Sequence, residues 1–268
     1  DSFWPLDNEN RTDDFIYRET LSSIVNGTLN GQDGDVTTLW TNQYKSIART
    51  NTILANKDKM LAMGISEEKV NQYMAEALFQ RASCYARLVT YFGNVVYVTE
   101  VIDIDAAFQM GQTPKEEVIP LIYADYDEAI KYLPEKYTGT SSQRATKGAA
   151  MAMKARFALY MGDWEVCRDA AKQCMDLGIY KLHSSYADLF LSTTKNAEEA
   201  IFLLPRSIEY DVTYGSSNVK NEVTRNPGGW GAYCPSWDLL ASYLCTDGLP
   251  IDESPLFDPH NPVSYTHL

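Results

Sequence analysis

The stretch ATKGAAMAMKARFALYMGDWEVCRDAAKQCMDLGIY, residues 145–180, constrains the fold more than any other part of the chain. Two helices are written on either side of Gly162-Asp163, a tight turn suited to stopping one helix and capping the next. The pattern predicts helices over 147–161 and 164–176, with Ala149, Ala152 and Ala155 facing Ala170 and Ala171 closely enough for an antiparallel hairpin. The same ending is written earlier. Ala86-Arg87-Leu88 and Tyr91-Phe92-Gly93-Asn94 match Ala155-Arg156-Phe157 and Tyr160-Met161-Gly162-Asp163 at a constant offset of 69 residues, Arg87 to Arg156. Two tetratricopeptide periods of about 34 residues come to about 68, so the chain reads as a helical-repeat array with one repeat between the two matched ends.

Other segments fit that reading. Leu39, Trp40, Tyr44, Ile47 and Ile53 or Leu54 keep near-helical spacing from Thr38 onward, after a loop read over NGTLNGQDGDVTT. A long helix is predicted over 67–91, capped by Ser66 and opened by Glu67 and Glu68. VVYV after Asn94 reads as a short extended piece. Thr113, Pro114 and Glu116 form a capping-box pattern ahead of a third helix, in which Pro120 predicts a kink or a restart. EEAIFLLP reads as a short strand, and a last helix is predicted from Ser236 to Cys245.

The balance of 23 basic against 36 acidic residues, net charge −13, disfavours nucleic acid and anionic membrane surfaces. The five cysteines contain no C-x-x-C pair; Cys167 and Cys174 lie two turns apart on one predicted helix, too far for a disulfide, and buried thiols are the default reading. The three histidines have no zinc spacing, and Gln32-Asp33-Gly34-Asp35 lacks the register of a calcium loop. No metal and no cofactor is expected. Paired acid/base carboxylates and an activated nucleophile are not recognisable either, so the chain reads as a non-enzyme. No apolar run of membrane-spanning length occurs, and the opening DSFWPLDNENRTDD has no signal-peptide pattern.

The segment from Arg206 to Pro235 is long, polar and aromatic, the composition of a functional loop. A sugar offers apolar C–H faces and a rim of hydroxyls, which calls for flat rings beside amides, carboxylates or arginine. Trp230 and Tyr233, with Arg225 and Asn226 nearby, supply that set, and Trp4 is a further candidate. The glycines on either side of Trp230 allow its ring to stand clear, although the sequence is equally compatible with its folding back as core. Trp40, Trp164 and Trp237 are read as core.

EALFQRASCYARLVTYFGNVVYV, then the hairpin above, then PSWDLLASYLCTDGLPIDESPLFDPHNP, taken in that order, resemble the SusD/RagB family of outer-membrane glycan-binding lipoproteins. The likeness runs from Trp40 to Pro262. It implies a mainly α fold, a tetratricopeptide-like helical-repeat scaffold carrying long irregular ligand-binding loops. The organisation expected is a single domain over 1–262, incomplete at its C-terminus, with the scaffold at 38–205, loop and capped helix at 206–262, and a non-native tail at 263–268. The resemblance further implies non-catalytic capture of oligosaccharide or polysaccharide on the outer face of the outer membrane, for delivery to a SusC-type TonB-dependent transporter. Attachment would be through an N-terminal lipidated cysteine that this sequence does not contain. The competing reading is a tetratricopeptide adaptor that holds a peptide in its helical groove.

Overall fold

The computed structural model describes residues 12–18, 21–138, 144–191, 193–194, 197–203 and 223–260. The chain divides into two compact units, residues 34–205 and a second unit drawn from both ends of the chain, 1–33 with 206–268.

The first unit is helical. Helices α1 (Gly34–Ala55), α2 (Lys57–Ala62) and α3 (Glu67–Phe92) lead through an extended segment to α4 (Ile104–Gln109) and α5 (Lys115–Tyr132). The hairpin α6 (Lys147–Met161) and α7 (Trp164–Asp176) follows, and then the single turn α8 (Tyr186–Leu189). The hairpin has the bounds predicted for it. Helix α1 starts four residues before its predicted origin at Thr38, so part of the presumed loop is helix, with Asp35 placing its carboxylate in the first turn. The central helix α3 packs on α1 and α5, and the core that results holds Ile47, Phe79, Tyr85, Leu88, Ile122 and Tyr126. Burying side chains of this size contributes roughly 1.5–3 kcal/mol each before the entropy of ordering is charged.

Both helix ends matched by sequence close on a glycine at positive φ, with ψ of −107° at Gly93 and 11° at Gly162. Gly93 ends α3 at φ 71° and Gly162 ends α6 at φ 80°, backbone conformations that disfavour any side chain. The residue after each glycine then fixes α5. Asn94 Oδ1 accepts the Lys115 N–H at 3.0 Å and so caps the helix start, while Asp163 Oδ2 accepts the Tyr123 hydroxyl at 2.6 Å. Asp163 is therefore engaged sideways and makes no side-chain cap to α7, contrary to the sequence reading. Thr113 also does no capping: its N–H and C=O pair with Val95 at 2.7 and 3.2 Å, closing the loop between α3 and α5.

Pro120 does not restart α5, which runs unbroken from Lys115 to Tyr132. Only one backbone donor is lost there, and Val118, Ile122, Tyr126 and Ala129, all fully buried, hold the helix on α3.

VVYV is extended but joins no sheet. Side chains stand in for a neighbouring strand: the Tyr44 hydroxyl donates to the Val96 carbonyl and accepts the Val96 N–H, both at 2.9 Å, and Tyr85 does the same for Val98 at 2.9 and 2.7 Å. Asn51 Nδ2 donates to the carbonyls of Val98 and Glu100, at 3.0 and 3.1 Å. Arg81 adds Thr99 O at 3.3 Å while forming a two-pronged pair with Asp125, at 2.7 and 2.8 Å, in the interior. EEAIFLLP, by contrast, shows no strand among its described residues.

The second unit contains β1 (Phe15–Tyr17) and β2 (Tyr233–Pro235), an antiparallel pair in the register Phe15 to Pro235 and Tyr17 to Tyr233. The short helix α9 (Trp237–Ser242) follows and ends three residues before the predicted limit at Cys245. Buried Ser236 joins these pieces. Its N–H donates to Asp14 O at 2.8 Å, its hydroxyl donates to Asp13 O, and its Oγ accepts the Leu239 N–H at 3.1 Å as the cap of α9.

Candidate glycan-binding surface

The loop before β2 is wound tightly by its own backbone. The carbonyls of Val223, Thr224 and Arg225 accept the N–H groups of Gly231, Gly229 and Gly228 at 2.9, 3.0 and 3.0 Å. Gly229 is required by this fold, since a Cβ there would overlap the Val223 carbonyl. Trp230 emerges between Gly229 and Gly231, neither of which has a side chain to cover it, and 45% of its surface is exposed. The ring read from sequence as either open or core therefore stands at the surface of this unit.

Tyr233, three residues on, is half-buried and lies against Tyr17, with ring centroids 5.2 Å apart and planes at 44°. The β1–β2 register brings those rings together. Sequence reasoning missed Tyr17, because its partner is more than 200 residues away and a three-residue strand leaves no periodicity to read. Arg225 and Asn226 sit exposed in the turn, and their side chains make no hydrogen bond among the described residues, which leaves their N–H donors open to a ligand. Trp4 lies outside the described residues.

Two tryptophans read as core are at the surface: Trp164 is 67% exposed and Trp237 is 63% exposed. Both occupy the first position of a helix, where a side chain reaches back over the preceding turn and finds no helix face to lie on. Trp40, inside α1, has neighbours on its own helix and on α3, packing at 4.8 Å from Tyr44 and edge-on at 5.0 Å from Phe92. Trp237 thus joins Trp230 and the Tyr17–Tyr233 pair as aromatic surface of the second unit. Cys234, expected to be buried with the other thiols, is exposed on β2; Cys84, Cys174 and Cys245 are buried.

Among the described residues no group of three or more His, Cys, Asp or Glu side chains is placed to hold a metal ion. No described helix is long and apolar enough to cross a membrane.

A family model described as "Starch-binding associating with outer membrane" matches residues 6–159. The chain belongs to the SusD-like family. SusD-like protein P2 of Formosa agariphila is 28% identical over 240 residues, which are 84% of this chain and 46% of that one. A SusD-like carbohydrate binding protein from Bacteroides fragilis, solved by crystallography, has 26% identity and a TM-score of 0.81, covering 96% of this chain and 50% of that one. A laminarin binding SusD-like protein has the same fold at 24% identity and a TM-score of 0.64, covering 72% of this chain and 44% of that one. The chain thus spans half the length, or less, of these SusD-like relatives.

Proposed function

We propose that this SusD-like chain binds oligosaccharide or polysaccharide without catalysis, by stacking sugar rings on Trp230 and the neighbouring aromatics of the second unit. The observation that carries the reading is the exposed Trp230 ring, projected between two glycines from a loop whose backbone bonds fix its shape. A ring held in place before the ligand arrives loses little freedom on binding. Arg225 and Asn226 supply donors for sugar hydroxyls. Family membership and the carbohydrate-binding relative support the ligand class. The same family description supports placement at the outer membrane; the reading extends this to an outward-facing lipoprotein that passes its glycan to a SusC-type TonB-dependent transporter.

Affinity electrophoresis through gels containing a panel of neutral polysaccharides tests this. Retention in at least one gel is expected, and Trp230→Ala is expected to abolish most of it while leaving the thermal midpoint within a few degrees. Retention unchanged in Trp230→Ala, or binding to a peptide panel with none to glycans, would overturn the assignment.

A further inference from the structure

A depression in the helical unit takes no part in the loop surface. We propose that this hollow, lined by Lys69, Gln72, Tyr73, Tyr137, Thr138 and Arg144, is a second carbohydrate site and takes a sugar residue bearing a carboxylate or a sulfate. Its volume of about 390 Å³ falls within the roughly 300–1,000 Å³ of small-molecule sites. The lining comes from the start of α3 and from the two ends of the connection between α5 and α6, where the half-buried rings of Tyr73 and Tyr137 contribute apolar faces.

The polar wall is already organised. Arg144 lies over the Tyr137 ring, 4.1 Å from its centroid, with Nη2 2.6 Å from Glu76 Oε1. The same Glu76 oxygen is 3.2 Å from the Tyr137 hydroxyl, which also donates to Ala145 O at 2.9 Å, and it accepts Gln72 Nε2 at 3.4 Å. Glu76 is thus committed to positioning Arg144. The charge it carries offsets one of the two cations and leaves Lys69, which has no ion pair among the described residues, as a positive surplus. That surplus sits on a chain of net charge −13, so the hollow has a sign opposite to that of the molecule as a whole.

Rings, an amide and hydroxyls suit any sugar. A stacked guanidinium beside a free ammonium selects one carrying an anion, whose oxygens take charge-assisted hydrogen bonds from both. Carboxylate and sulfate share that chemistry. The site uses none of the residues assigned to the loop surface, so the two assignments fail separately.

Isothermal titration of the full chain with a tetragalacturonate, a sulfated galactotetraose and neutral galactotetraose tests the proposal. At least one acidic probe is expected to bind at least about tenfold more tightly than the neutral one, and the preferred probe names the anion. Lys69→Gln, at an exposed position that leaves the fold intact, is expected to weaken that binding by about tenfold, and Trp230→Ala to leave it unchanged. Equal affinity for all three probes, no binding of either acidic probe, or unchanged affinity in Lys69→Gln would overturn the proposal. Loss of acidic-probe binding in Trp230→Ala would overturn it as well, by moving the ligand to the loop.

Discussion

In residues 34–205 long helices satisfy their own backbones, and the fold is chosen by which apolar faces meet; the core residues there recur at helical spacing on α3 and α5. In the described part of the other unit, strands of three residues and a helix of six leave most of the backbone to turns, to a serine cap and to glycines. The first arrangement resists change at single surface positions and punishes changes in the core. The second has little core to lose, and in it the chain conformation itself aims the side chains. A scaffold and a presented surface have thus been built by two kinds of interaction, and substitutions in each should report differently.

The largest effect is expected where the helical unit buries charge. Asp125→Ala strands the Arg81 guanidinium in the interior and should cost about 3–5 kcal/mol in urea unfolding followed by circular dichroism. The double replacement Arg81→Met with Asp125→Leu should recover most of that loss, since two apolar side chains leave no uncompensated charge. A single variant as stable as the parent would contradict the role given to this pair.

Next comes the pinning of residues 95–100. Tyr85→Phe removes the acceptor of the Val98 N–H and one of the two donors to its carbonyl, leaving Asn51 as the other, and should cost about 1–3 kcal/mol by the same measurement. The phenols of this region also set an alkaline limit. Burial pushes Tyr44 and Tyr97 up to about 12, and pushes Tyr85 and Tyr126 in the same direction. The folded value lies above the unfolded value of about 10, so the contribution to stability is complete below pH 10 and is lost as the pH rises from there toward 12. The urea midpoint should fall across that window; a flat midpoint would contradict the burial.

In the second unit the expected order is reversed, with small effects on stability and large ones on binding. Gly229→Ala forces the loop off the Val223 carbonyl and should remove most glycan retention, while far-ultraviolet dichroism stays that of the parent. Ser236→Ala removes the cap of α9 and should cost about 1 kcal/mol.

The same contrast explains what could be read from sequence. The hairpin 147–176 was legible to the residue because small residues, a left-handed glycine and the amphipathic run of α7 all gave one answer. The restart read at Pro120 fails because propensity counts one lost bond and cannot see the four buried side chains that hold α5 on α3. Trp164 and Trp237 misled for a related reason: membership of a helix was taken for burial, whereas the first position of a helix has no preceding turn to lie on. Of the candidate surface, Trp230, Tyr233, Arg225 and Asn226 were nominated from composition and glycine spacing. Tyr17 was out of reach, because only strand pairing brings it to Tyr233, and so was the Lys69–Arg144 hollow, whose walls lie 75 residues apart in the chain.

The most direct test of the division into scaffold and presented surface compares two indoles that are both exposed, Trp164 on the hairpin and Trp230 in the loop. Their alanine variants are measured side by side for retention in a neutral glycan gel. The account predicts retention equal to the parent's for Trp164→Ala and near-complete loss for Trp230→Ala; loss in Trp164→Ala with retention kept in Trp230→Ala would place the glycan on the helices and contradict it.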